Sequence, residues 1–75
     1  MEYQFRVGDI FLEKRNSHVL CVVEIGSVRF GKIQMLTVRD MNSQKEFPYK
    51  KRDIRRMIEY KLWTYFPVEK DITDS

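Results

Sequence analysis

One cysteine, one histidine, two prolines and three glycines in 75 residues leave little material for several common kinds of site. The single thiol, Cys21, excludes an intramolecular disulfide, and its place inside the apolar run Val19-Leu20-Cys21-Val22-Val23 marks it as a small buried hydrophobe. A zinc site takes three or four nitrogen, sulfur or carboxylate ligands at short spacing, and His18-x-x-Cys21 supplies only one pair. The same histidine is three residues from the thiol on a loop, so neither Cys21 nor any serine has an evident base. Gly26 and Gly31 lack the spacing and the following Lys-Ser/Thr of a phosphate loop. Asp9, Glu13, Asp40 and Glu46 read as solvated charges on turns and strand exteriors rather than as a paired acid and base. The expectation is a non-enzymatic protein with no catalytic residue, no metal site and no cofactor. Long apolar runs are missing as well. No stretch approaches the roughly eighteen uninterrupted apolar residues of a membrane span, and Met1 to Arg6 lacks the basic-then-apolar layout of a signal peptide. A cytoplasmic protein that does not enter the membrane is expected.

What the chain does have is a composition that can fold. It is 43% hydrophobic with one Trp, four Tyr and five Phe, which outweighs a charged fraction of 33% and excludes a disordered segment. The length gives room for one hydrophobic core. No repeat, low-complexity tract or Pro/Gly-rich linker marks a boundary, so residues 1–75 form a single expected domain with a frayed tail over 67–75.

The punctuation is local. Val7-Gly8-Asp9 is a turn that launches a strand over about 9–14, and Lys14 to His18 is a polar loop. Val19 to Ile25 is the next strand, with Val19, Cys21, Val23 and Ile25 expected on one face and Leu20, Val22 and Glu24 on the other. Glycines bracket Val28-Arg29-Phe30 as a short arm or widened hairpin turn, and Ile33 to Asp40 alternates as a third strand. Met41-Asn42-Ser43 is a turn in which Asn42 tolerates a left-handed backbone. The strand after it holds Pro48, which has no N–H to give a ladder, so it lies on an edge or ends there.

From Lys50 to Leu62 the period becomes helical: Ile54, Met57, Ile58 and Leu62 make one apolar stripe. Asp53 is a candidate N-cap, with a start nearer Lys50 as the alternative. A helix of two to three turns is too short to stand alone and has to bury that stripe on the sheet. Leu62 to Phe66 is a last, aromatic strand stopped by Pro67, and Phe47, Tyr49, Tyr60, Trp63, Tyr65 and Phe66 are assigned to the core. The order strand, strand, strand, strand, helix, strand predicts a mostly β fold, a small meandering barrel of about five strands with an amphipathic helix before the last.

Phe5-Arg6-Val7-Gly8-Asp9-Ile10 resembles the opening of SH3-like and Tudor-like small barrels, where a hydrophobic-x-x-Gly-Asp turn precedes the first strand. The late helix followed by a Trp-bearing strand is similar to the layout of short accessory proteins of phages and mobile elements. The resemblance spans roughly residues 5–66 and implies a module that binds nucleic acid, peptide or protein. It carries over no binding residue, and the basic helix departs from most such barrels.

Positive charge is concentrated in one segment. The chain carries a formal +3, yet residues 50–61 alone hold six Lys/Arg against two Asp/Glu, while residues 1–49 hold seven against six. With Ile54, Met57 and Ile58 facing inward, the cations form a ridge whose guanidinium groups match phosphate oxygens in pairs. Lys50, Lys51, Arg52, Arg55, Arg56 and Lys61 are the candidate binding residues, with Lys14, Arg15, Arg29 and Lys32 as loop contributors. The residues leave two partner classes open: a DNA or RNA backbone, or the acidic surface of a host protein that a phage-type module would regulate or inhibit. Self-association as a homo-oligomer, through the strand near Pro48 or the aromatic last strand, is a third use of the same chain.

Overall fold

Strand formation follows the β-branched and aromatic runs. A computed structural model describes residues 3–68 and contains β1 (Ile10–Glu13), β2 (His18–Val28), β3 (Ile33–Asp40), β4 (Glu46–Lys50), the helix α1 (Lys51–Glu59) and β5 (Trp63–Phe66). All five strands pair antiparallel in one sheet ordered β4-β3-β2-β1-β5. The fold is therefore mostly β with one short helix, as expected, and Pro48 lies on an edge strand, where its missing N–H costs no ladder bond. The sheet is open: β4 and β5 are its two ends and do not pair with each other. Helix α1 packs against β3, β4 and β5, and the Tyr49 and Trp63 rings meet edge-to-face at 5.4 Å between the two end strands.

The core consists of Phe11, Leu20, Val22, Leu36, Val38, Ile54 and Trp63. Trp63 is buried as predicted. Phe11 is the centre of the aromatic part, with the Phe5, Trp63 and Tyr65 rings 5.4 to 5.6 Å away. Tyr49 and Tyr65 pack on this core, whereas Phe47, Tyr60 and Phe66 are exposed, contrary to the expectation that all six late aromatics fill it.

Two faces of β2 also differ from the alternation read in the sequence. Leu20 and Val22 point inward, so Cys21 lies half-buried on the outer face instead of in the core. A bulge then shifts the register: Val22 pairs with Val38, but Glu24, not Val23, pairs with Thr37. The extra residue reverses the phase, so that Ile25, opposite Leu36, packs on the core with Leu20 and Val22 rather than with Cys21. Past the bulge β2 runs on to Val28, opposite Ile33, so of the two forms expected for Val28-Arg29-Phe30, an arm or a widened hairpin turn, the hairpin is the one found, with the strands continuing further than expected. Its four-residue tip turns through Arg29 (φ 55°), Phe30 (φ 57°) and Gly31 (φ 83°), three successive left-handed residues, and is closed by Lys32 N–H donating to the Arg29 carbonyl at 3.1 Å.

Two carboxylates expected on the surface are buried, because each closes a turn whose backbone N–H groups face inward. Asp9 is 1% exposed. Its Oδ2 accepts the Arg6 N–H and the Tyr65 hydroxyl, and its Oδ1 accepts the Val68 N–H, each at 2.8 Å. Gly8, at φ 100°, makes the turn possible, and a Cβ there would come within 3.5 Å of Val68. Val68 is thus tied down where fraying was expected from residue 67; the rest of that tail lies outside the described residues.

Asp40, 6% exposed, accepts the Asn42 N–H at 2.8 Å and lies 3.0 Å from His18 Nδ1. In this loop Gln44 (φ 65°), not Asn42, takes the left-handed conformation, since the Asn42 backbone is committed to the Asp40 carboxylate. Glu46 does lie at the surface, paired with Arg39 at 2.6 Å across β3 and β4.

The Asn42 N–H chiefly, then the Ser43 N–H and His18, hold the Asp40 carboxyl below the ordinary carboxylate range, against the opposing effect of desolvation. Burial first, then the Asp9 hydrogen bond, pushes the Tyr65 hydroxyl well above the ordinary phenol range. The two shifts bound the stable pH range from opposite sides. Asp40 stabilises the fold above its unfolded pKa of about 3.9, and that contribution is lost as pH falls through the lower native value. Tyr65 stabilises below its unfolded pKa of about 10, and that contribution is lost as pH rises toward the higher native value. Urea melts across pH are expected to show a shallower acid limb in Asp40→Asn and a shallower alkaline limb in Tyr65→Phe. Asp9→Ala leaves three donors without their acceptor and is expected to cost about 3 kcal/mol, read as a lower urea midpoint at unchanged slope.

Candidate functional site

Helix α1 is set by its apolar stripe. Ile54 is fully buried, and Met57 and Ile58, three and four residues on, pack against the core. Burying one such side chain contributes about 2 kcal/mol, enough to hold nine residues that would not be helical alone. The N-cap is Lys50, in extended conformation, with no side-chain hydrogen bond to the first turn, because an ammonium group has nothing to accept with. Asp53, the candidate cap, instead lies inside the first turn as its acid.

The C-terminus closes as a Schellman motif. Lys61 N–H donates to Ile58 O at 3.0 Å and Leu62 N–H to Met57 O at 2.9 Å, with Lys61 left-handed at φ 63°. Leu62, assigned to the stripe, therefore lies beyond the helix and is half-exposed.

This frame divides the six candidate cations. Lys50, Lys51, Arg52 and Arg55 line a cleft of about 630 Å³ whose other wall is the far end of the β2–β3 hairpin: Ser27, Gly31, Lys32, Ile33 and Gln34. Alternation from Ile25 and Leu36 places Ser27 and Gln34 on the helix side of the hairpin. Five cations line the cleft, with no carboxylate among the described residues that do so. Arg56 is exposed one step further round the helix and is not part of the lining. Lys61 belongs elsewhere, in a second depression of about 560 Å³ with Lys14, Arg15, Glu13, Met57, Leu62 and Trp63.

Arg55 Nε is buried without a hydrogen-bond partner among the described residues, 3.9 Å from Glu59 Oε2. Both side chains are about half exposed, and at that distance the contact is a screened charge contact rather than a hydrogen bond. The cationic ridge is thus held from beneath by Ile54, Met57 and Ile58, with Lys50, Arg52 and Arg56 carrying no ion pair among the described residues.

Sequence reading found the helix wall and Lys32 but not the hairpin wall, since nothing local says that Ser27 and Gln34 overhang the helix. The lone His18 and Cys21 occupy positions i and i+3 of one strand, which places them on opposite faces. Among the described residues no group of three or more His, Cys, Asp or Glu could hold a metal ion, and no helix is long and apolar enough to cross a membrane.

Lys61 occupies a position where an L side chain with a Cβ is disfavoured and glycine is not. Lys61→Gly is expected to stabilise the fold by about 1 kcal/mol, a rise of some 4–8 °C in melting temperature.

Compared with protein-family models, with curated proteins and with solved structures, the chain gives no match, so any functional assignment rests on the chemistry of these residues alone.

Proposed function

We propose that this chain is a non-catalytic binding module, a small SH3-like barrel opened between β4 and β5, that takes the phosphate backbone of a nucleic acid into the cleft between α1 and the β2–β3 hairpin. The observation that carries the reading is the lining itself: Lys32, Lys50, Lys51, Arg52 and Arg55 around one cleft, without an acid among its described lining residues. The strand order and the Tyr49–Trp63 contact across the gap support the barrel description.

Electrostatics supports an anionic occupant. The N-terminus of a helix carries the positive end of its dipole and favours acids, by about 0.3–1 kcal/mol each. Here Lys50, Lys51 and Arg52 stand at that end, with Asp53 the one acid of the first turn. Three cations gathered at an already positive pole cost stability but raise the local potential for an incoming anion. Guanidinium forks on Arg52 and Arg55 match phosphate oxygens in pairs, and the ammonium groups add point charge.

Binding through four backbone contacts is expected to fall about 100-fold between 50 and 200 mM salt. A titration of duplex DNA, single-stranded DNA and RNA at those two concentrations measures it. Arg52→Glu, at an exposed position, is expected to weaken binding at least tenfold and flatten the salt dependence, and Arg56→Glu to do less. Unaltered binding by Arg52→Glu combined with Arg55→Glu, in a protein whose circular dichroism is intact, would sink the assignment. Equal binding to polyglutamate and to nucleic acid would instead identify the occupant as an acidic protein surface.

A further inference from the structure

We propose that the tip of the β2–β3 hairpin is a base-stacking finger, with the Phe30 ring taking the face of one nucleobase of a single-stranded nucleic acid whose backbone lies in the adjoining cleft; this rests on the assignment of that cleft to a phosphate backbone. Phe30 is 103% exposed, so its whole ring stands in solvent. Its backbone is left-handed at φ 57°, a conformation that an aromatic residue with a Cβ adopts at a cost and that glycine or asparagine would take more readily. Neither the exposure nor the conformation is repaid by packing, for the ring is absent from the core and from every aromatic contact of the described residues. Folding alone therefore gives no reason for a phenyl group at this place.

The neighbours say what the ring meets. Arg29 precedes it, and Gly31 and Lys32, the next two residues, form part of the cleft wall. A strand whose phosphates sit between Lys32 and the α1 cations has its bases within reach of the tip. Cations beside an exposed ring are the pairing that single-strand binders use, phosphate contacts for affinity and a π-face for the base, whichever base it is. A duplex offers no such face, since each base is already covered on both sides, and one narrow tip would have to unstack a step to enter.

The test uses the whole chain with oligothymidylate of about a dozen nucleotides and a duplex of the same length. Phe30→Ala is expected to weaken single-strand binding about tenfold with its salt slope unchanged and with duplex binding untouched, the converse of Arg52→Glu, which flattens the slope. Phe30→Trp should retain affinity, and because the one native tryptophan, Trp63, is buried, its added emission reports stacking directly as quenching by the single strand. Wild-type single-strand affinity in Phe30→Ala, with Arg52→Glu still weakened, overturns the finger and leaves the cleft assignment standing. An equal loss on duplex shows an intercalating wedge and likewise overturns it. Absence of binding to every nucleic acid by the wild-type chain overturns both. Phe30 touches no core residue, so the melting temperature of Phe30→Ala should match or exceed wild type, which keeps the comparison free of unfolding.

Discussion

The carboxylate of Asp9 joins three parts of the chain that the sheet alone would leave loose. It receives a backbone N–H from Arg6 before β1, the hydroxyl of Tyr65 in β5 and the N–H of Val68 after β5. β5 is a four-residue edge strand paired only with β1, so its ladder is short and open to solvent on one side. A carboxylate acceptor makes stronger bonds to these donors than a neutral oxygen would, and without it the Arg6 and Val68 N–H groups and the Tyr65 hydroxyl, all part-buried, would lose their acceptor. Trp63 stands in the same strand and, with Ile54, closes the core over Phe11. Holding β5 therefore also holds the surface on which α1 rests, and through α1 the direction of its cations.

A second constraint places the other wall of the cleft. Had β2 kept strict alternation, Ile25 would fall on the outer face and Ser27 with it, and the hairpin end would present its backbone to α1 with the opposite side chains. The one-residue bulge after Val22 returns Ile25 to the core and sends Ser27 to the helix side, opposite Gln34, which the alternation of β3 from Leu36 already places there. The hairpin end, from Ser27 to Gln34, then faces the start of α1 across the cleft. A cleft between two elements distant in sequence is the result.

The legible part of this structure was the part set by local pattern. Strand β3 runs over the residues its alternation indicates, Pro48 marks an edge, and the stripe of Ile54, Met57 and Ile58 faces the core. What could not be read depends on partners remote in sequence. The burial of Asp9 and Asp40 comes from donors supplied by Tyr65 and Val68 in one case and by the fold of the 41–44 loop and His18 in the other. A period-2 pattern has no symbol for a bulge, so Cys21 and Ile25 were placed on one face. The helix end is a different case. Lys61 in a left-handed position carries no glycine to announce it, and Leu62 satisfies the helical period while lying outside the helix.

Local rules are broken at the helix start and in the turns. Lys50, Lys51 and Arg52 stand at the positive pole of α1; Phe30 gives its ring to water in a left-handed conformation; Ser17, Arg29, Gln44 and Lys61 are left-handed as well, in places where glycine is suited. The helix-start cations line the 630 Å³ cleft, Phe30 directly precedes its lining residues Gly31 and Lys32, and Lys61 borders the 560 Å³ depression at the other end of α1, whereas Ser17 and Gln44 line neither. Elsewhere the chain follows its rules closely: the strand bearing Pro48 is an edge, the tight turns at Gly8 and Gly31 have glycine, and the buried acids have donors. Consistency across levels is what makes a sequence fold to one structure, and departures that serve no contact within the fold lower stability for no internal return. Left-handed residues are met wherever a tight reversal falls, so those in the three hairpin turns say little by themselves. What sets the 630 Å³ cleft apart is five cations along its lining with no acid among its described lining residues, a concentration of like charge that the fold carries at a cost in stability.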